Sequence, residues 1–416
     1  MAKSLFCWNL LALTMLFGGA SLINLGSAYY PLDPALGTAR LVIVAGSLAA
    51  LSPLLPAAVA HFETAAKGVI LLFLWLAFGS VCLVSSVATD DRAGALASTL
   101  WVLIGVPVVF FVGLPGAFGK RACQLVVLAL LISHAAYIVV SLCLYPDVQF
   151  LYKGIFGHPN ETGMTAVVVA ACSLAWIVER VRTGSLTGWA RAGLGLLFGS
   201  SSVLVIVSGS RTSLLALIVT AGTAIIVCTR LLHRKRLFSM LAGGLGIFSV
   251  GTAVLPQLDF TEQIWLKHSQ QVMKGDILSK RTDIWMKVID DMQILGNGSE
   301  YFPETVGISS HNSLMHIIGE RGPIAAFFMA CVAVLGLVRA WHHAVRDRGY
   351  SSFAAAPLLI SVCFWVLSMG EGIFGSLGTG ITVAYLLSIG IVVTGETTFS
   401  VAPAPWRERH GIPKAV

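Results

Sequence analysis

Charge is what this sequence has least of. Of its 416 residues only 11% are Asp, Glu, Lys or Arg, against 56% hydrophobic, and the mean hydropathy is +0.84. A soluble domain carries about a quarter charged residues. A chain this poor in charge cannot cover itself with a water-facing surface, so most of its surface faces hydrocarbon. Cysteines at metal or redox spacing are missing as well. The eight cysteines, Cys7, Cys82, Cys123, Cys143, Cys172, Cys228, Cys331 and Cys363, fall nearly all inside apolar runs. None forms a C-x-x-C pair and none clusters with His, which leaves them as small apolar filler. Basic residues interleaved with aromatics on a soluble face are also missing, so the net charge of +7 does not point to nucleic acid. No internal repeat, low-complexity tract or soluble domain stands out.

What is present is a string of apolar runs. A spanning helix needs roughly 20 such residues, and the chain has room for about twelve. They fall near 5–25, 38–57, 67–88, 95–117, 122–145, 161–179, 190–209, 211–230, 237–256, 323–341, 352–370 and 373–394. The first follows Met1-Ala2-Lys3; it is long for a signal peptide and reads as an uncleaved helix. The expected fold is therefore an all-α polytopic membrane protein. Its units would be helices one to nine in 1–256, a loop with amphipathic helices in 257–321, helices ten to twelve in 322–396 and a basic tail in 397–416. With the N-terminus in the cytoplasm, 17 of the 27 Lys and Arg fall on the cytoplasmic side, as the positive-inside rule asks. Both termini are then cytoplasmic and the long loop lies outside.

Ionisable groups near a bilayer are costly and usually have a partner or a task. Four external segments concentrate them. In Gly157-His158-Pro159-Asn160-Glu161, Asn160 is expected to cap the sixth span and Glu161 to sit in its first turn, where a carboxylate suits the helix dipole. Plain capping explains both residues; the functional reading is a polar floor to a site. In Ser208-Gly209-Ser210-Arg211, Ser210 reads as an N-cap. Arg211 then adds a guanidinium to a helix start that already attracts anions. In the third segment Ile284, Trp285, Val288, Ile289 and Met292 form one apolar stripe, and Arg281 falls near its middle one turn earlier. Arg281 should thus face inward, toward an anion or an internal salt bridge. In the fourth segment, ending at Gly322-Pro323 where the helix should break, His311 is expected on one helical face with Leu314, Met315 and Ile318, and His316 well round from it. Arg321, beside Glu320, and Glu371, at the turn between the last two spans, are secondary candidates with Asn160, Glu161 and Asn312. No D-x-D pair or acidic cluster at this surface has metal-ligand spacing, so no metal or other cofactor is expected; Arg would supply the charge that Mg²⁺ otherwise provides.

Taken together, the segments resemble the O-antigen ligase and polymerase superfamily. The stretches are Phe156-Gly157-His158-Pro159-Asn160; Ser210-Arg211-Thr212-Ser213-Leu214-Leu215; Arg281-Thr282-Asp283-Ile284-Trp285 followed by Leu295-Gly296-Asn297-Gly298; and His311-Asn312 with Gly322 ten residues past the Asn. Each is weak alone, and the order and spacing of all four, over about 150–345, carry the resemblance. It implies a fold like that of the multispanning GT-C glycosyltransferases. It implies transfer of a glycan from undecaprenyl pyrophosphate to the lipid A–core of lipopolysaccharide, by inverting, metal-independent chemistry at the periplasmic face of the bacterial inner membrane. Arg211 and Arg281 would grip the donor pyrophosphate, and His311 would serve the acceptor hydroxyl as base or as an orienting group. A polymerase joining repeat units, a protein glycan ligase and a lipid-linked glycan transporter are the competing readings.

Overall fold

The computed structural model describes residues 2–26, 33–54, 69–184, 188–231, 269, 281–346, 352–374 and 378–394, and among these every regular element is helical. In chain order the helices are α1 (Ala2–Ser21), α2 (Pro34–Leu51), α3 (Val69–Ala88), α4 (Arg92–Ala97), a π-helical stretch Ser98–Gly113, α5 (Leu114–Phe118), α6 (Ala122–Leu144), α7 (Pro159–Thr183), α8 (Gly188–Val207), α9 (Arg211–Leu231), α10 (Arg281–Asp290), α11 (Ser313–Arg346), α12 (Ala356–Ser368) and α13 (Gly380–Thr394). Among the described residues, seven helical runs are long and apolar enough to cross a membrane, one of them the 53-residue run Arg92–Leu144, which turns at Gly119 (φ 52°). Three further apolar helices, 192–207, 356–368 and 380–394, are shorter. This is a polytopic, membrane-embedded helical protein. The expected span at 237–256 lies outside the described residues, as do 257–268, 270–280 and the tail from 395.

Helix is the only open-ended backbone form that hydrocarbon allows, because each N–H and C=O must find its partner within the segment. The ends are marked by local chemistry. Asp33 accepts from Ala35 N at 2.8 Å ahead of Pro34, and Ser210 Oγ accepts from Ser213 N at 3.3 Å, which matches the expected cap of α9. The start of α7 differs from expectation. Its N-cap is His158, whose Nδ1 accepts from Asn160 N at 3.1 Å. Asn160 is thereby placed inside the first turn, with its side chain left for another partner.

α7 is the central helix, packed against α6, α8, α9 and α12. α13 is buried along nearly its whole length against α1, the π-helical stretch and α12. Aromatic rings knit these helices together: Phe364 stacks on Tyr385 at 4.2 Å, and Trp75 meets Phe111 edge-on at 5.1 Å. Lipid is as apolar as a helix surface, so close packing of this kind, rather than escape from water, holds such a bundle together.

The break expected at Gly322-Pro323 is present inside α11, where Gly322 adopts φ 85° and ψ 167°. Only glycine takes that conformation readily, and there is no room for more: a Cβ on Gly322 would lie 2.1 Å from Ile294 O. The segment Leu295-Gly296-Asn297-Gly298 runs beside the kink. Asn297 N and Gly298 N donate to Gly319 O and Glu320 O at 2.9 and 3.1 Å, and Asn297 Nδ2 donates to Gly319 O at 3.1 Å. Those glycines and that asparagine are therefore the seam between two backbones.

Candidate active site

Helix directions gather the loops 145–158, 208–210, 291–312 and 369–374 at one end of the bundle. Contacts between them confirm the placement: Leu151 N donates to Val207 O at 2.8 Å, and Asn312 Nδ2 to Met369 O at 3.1 Å. At the centre of this end stands Glu371. After α12 stops at Ser368 the chain turns, with Glu371 N donating to Leu367 O at 2.9 Å and Ile373 N to Glu371 O at 2.9 Å. The turn points the Glu371 side chain inward, where it is 10% exposed. Its Oε1 accepts from Asn160 Nδ2 at 2.9 Å and from Arg281 at 3.3 Å. Its Oε2 lies 3.4 Å from His311 Nδ1. A carboxylate removed from water needs such compensation, and here three segments far apart in sequence supply it.

Arg281 opens α10 and faces inward, as its place in the apolar stripe predicts. Arg281, Ile284 and Trp285 are half-buried and Val288 is buried. The stripe ends there, because Ile289 and Met292 are exposed. Trp285 Nε1 donates to Ser310 O at 2.9 Å, fastening α10 to the residue before His311. The guanidinium thus has an internal partner in Glu371.

His311 is at the site but not by the route expected. It does not lie on a helical face with Leu314, Met315 and Ile318, because α11 begins only at Ser313. Asn312 is the cap: its Oδ1 accepts from Leu314 N at 2.9 Å and Met315 N at 3.1 Å. His311 sits just outside, at φ 50°. A left-handed backbone at a non-glycine residue costs on the order of 1–3 kcal/mol; the Trp285 bond on one side and the Asn312 cap on the other hold it there. Asn312 therefore fixes this corner, its amide oxygen on the start of α11 and its amide nitrogen on Met369 O.

Arg211 opens α9, half-buried. Two close approaches seat its turn. A Cβ on Gly370, the neighbour of Glu371, would lie 2.2 Å from Thr212 Oγ1, and one on Gly163 would lie 2.7 Å from Ser208 Oγ and 2.9 Å from Ser213 Oγ. The start of α9 is thereby pressed against both the first turn of α7 and the Glu371 turn. Glu161 completes the group. It lies close enough to Glu371 for the two carboxyls to repel, and its Oε2 is enclosed without a hydrogen-bond partner.

Arg321 belongs elsewhere. Its guanidinium binds Asp91 at 3.0 Å and Ser86 Oγ, with Glu320 further off at 3.9 Å. Glu320 in turn pairs with His316 at 3.1 Å, and His316 stacks on Phe302 at 4.7 Å. Glu320 and Arg321 do not simply neutralise each other; they are links in a second polar cluster, and His316 stays off the Glu371 site as its helical position predicts. Asp91 is the anchor of that cluster, accepting from Gly94 N at 2.7 Å and Ser299 N at 3.1 Å. Burial pushes the Asp91 carboxyl up, but these bonds and the Arg321 charge outweigh it and hold the group below the usual carboxylate range. Beside the cluster is a cavity of about 120 Å³ lined by Trp75, Phe78, Trp101, His316, Arg321 and Phe374 among others. A wider cleft of about 350 Å³ runs along Lys287, Asp291, Tyr301 and Glu304. It lies on the outward face of α10 and takes in none of the residues gathered on Glu371.

The sequence ranked Glu371 behind the two arginines and the histidine, and it overlooked Asp91. The signal for Glu371 was an acid between two apolar runs; the signal for Asp91 was an Asp at a helix start. Neither shows which distant residue it meets. No protein-family model matches the chain and no curated protein matches it, so the function rests on the geometry of these residues.

Proposed function

We propose that this protein is a lipid-linked glycan ligase of the O-antigen ligase type. It would move a glycan from undecaprenyl pyrophosphate to the lipid A–core of lipopolysaccharide at the periplasmic face of the bacterial inner membrane. On this reading the bundle has about twelve spans in a GT-C-like arrangement with both termini in the cytoplasm, and the Glu371 end faces the periplasm. The observation that carries the proposal is the meeting of Arg281, His311 and Asn160 on one enclosed carboxylate, Glu371, with the helix start that bears Arg211 packed against the adjoining Gly370. Two guanidinium-bearing helix starts and an imidazole at one end of a hydrophobic bundle suit a diphosphate that arrives from lipid.

The chemistry follows from the residue types. The acceptor hydroxyl attacks the anomeric carbon of the donor sugar, and the bond from that carbon to the diphosphate oxygen breaks. Charge then grows on the diphosphate, so cations fixed in place beforehand lower the barrier. A guanidinium matches phosphate oxygens in a fork that an ammonium lacks. Arg281 is held ready by Glu371, and Arg211 by the turn at Ser208–Ser210. His311 takes the hydroxyl proton, the task to which an imidazole is suited near neutral pH.

The test is transfer in vitro by purified protein, with undecaprenyl-pyrophosphate-linked glycan as donor and rough lipopolysaccharide as acceptor. Labelled lipid A–core is the expected product, formed equally well in EDTA. Absence of any transfer would overturn the enzymatic reading. Label appearing in lengthened repeat units instead would make the protein a polymerase.

A further inference from the structure

We propose that Glu371 is the positioning residue for His311, so that a His311–Glu371 pair, rather than the imidazole alone, receives the acceptor's proton. This inference rests on the glycan-transfer reading and assigns a role within the same site.

The two oxygens of Glu371 are used differently. Oε1 accepts from Asn160 Nδ2 and Arg281, at 2.9 and 3.3 Å. Oε2 is the oxygen turned to His311 Nδ1, at 3.4 Å. An ionised carboxylate can only accept, so the ring nitrogen facing it carries the hydrogen. That choice of tautomer leaves the lone pair on Nε2, the nitrogen turned away from Glu371.

Both partners are fixed by the same stitching. Asn312 Nδ2 donates to Met369 O at 3.1 Å and Ser313 Oγ to Glu371 O at 3.3 Å. The loop of His311 is thus bonded twice to the loop of Glu371. Charged groups beside the pair include Arg281 from α10 and Glu161 from α7, with Arg211 at the neighbouring start of α9. Glu161 has its Oε2 enclosed with no hydrogen-bond partner, while the cation, the amide and the imidazole all converge on Glu371. Glu371, and not Glu161, thus has the donors around it that an ionised carboxylate needs.

The step balances within the site. As the acceptor oxygen bonds to the anomeric carbon, its proton passes to His311 Nε2. The electron pair of the broken carbon–oxygen bond leaves with the diphosphate. His311 becomes an imidazolium, and Glu371 stays ionised and offsets that charge without accepting the proton, the division of labour of a base and its orienting acid.

A double-mutant cycle tests this with purified full-length protein, using the wild type, His311→Ala, Glu371→Gln and the double variant. Single-turnover transfer is the readout, with KM for rough lipopolysaccharide measured in parallel. Glu371→Gln is expected to lower kcat on the order of a hundredfold and to leave that KM within about twofold. The double variant should be no slower than His311→Ala, because an orienting group has nothing left to orient. Additive losses, or a loss confined to KM, would overturn the proposal. Glu371→Asp keeps the charge on a shorter stem and should transfer faster than Glu371→Gln; if it is no faster, the proposal also fails. A wild type that transfers nothing refutes the glycan-ligase reading itself, whereas wild-type transfer with additive losses refutes only the role of Glu371.

Discussion

At the scale of residues, His311 and His316 differ in the contacts they make. His311 faces Glu371 and lies beyond the helix cap, in a strained backbone held from both sides. His316 is stacked on Phe302 and tied to Glu320 one turn along its own helix. Replacing His311 with Ala should therefore abolish most transfer in the purified assay, whereas His316→Ala should keep most of it and lower the melting temperature by a few degrees. Arg211→Ala and Arg281→Ala should each lose transfer while the protein still inserts and purifies as a monodisperse species. Arg281→Lys should not restore it, because a lysine keeps charge but not the fork. Gly370→Ala offers a test that touches no charge. The added methyl would meet Thr212 and push the start of α9 off the Glu371 turn, so transfer should fall with little change in acceptor KM.

At the scale of elements, the kink in α11 and the Asp91 cluster decide how the external segment is held. Asp91 caps α4, binds Ser299 N and pairs with Arg321, so one carboxylate joins α3–α4, the 297–301 segment and the kink. Asp91→Ala should cost about 3 kcal/mol, since it takes from a largely enclosed guanidinium its close carboxylate and leaves the more distant Glu320. The pH dependence has a definite sign. Because the folded-state value of Asp91 is depressed below 3.8, its contribution is fully present above the ordinary carboxylate range and is lost as pH falls through the folded value. Melting temperatures of the wild type and Asp91→Asn, followed from pH 7 down to below the ordinary carboxylate range, should run parallel at first and draw together only once the pH has fallen below that range; curves that already converge above it would contradict this. Gly322→Ala should be worse than either, since both φ and the contact with Ile294 O forbid the methyl. The same elements show why part of the sequence pattern was misread. Leu295-Gly296-Asn297-Gly298 and Gly322, which the resemblance counts among its motifs, form a backbone seam. His311 was read onto a helical face because the spacing to Leu314 and Ile318 is helical, while the Asn312 side chain starts the helix two residues later.

At the scale of the molecule, the apolar helices place the protein in a membrane and their directions put the Glu371 loops at a common end. Cysteine scanning in a background lacking Cys7 and Cys143, the exposed native thiols among the described residues, tests that directly. Single cysteines at the exposed positions Asp147 and Glu300 should react with a membrane-impermeant reagent from one side. Cysteines at Lys120 and Thr183, at the opposite helix ends, should react from the other. Asp147 and Thr183 labelling from the same side would break the arrangement.

The amino-acid sequence on its own determined the membrane class, the positions of most apolar helices among the described residues, the inward turn of Arg281, the cap at Ser210 and the break at Gly322. These depend on composition and on periodicities of a few residues, which the chain carries locally. The tertiary structure alone decided that Glu371 is the hub, that Asn160 reaches it across 211 positions of chain, and that Arg321 goes to Asp91 instead. A charge inside a bundle pairs with whatever the packing of distant helices brings within about 3 Å, and no local pattern encodes that choice.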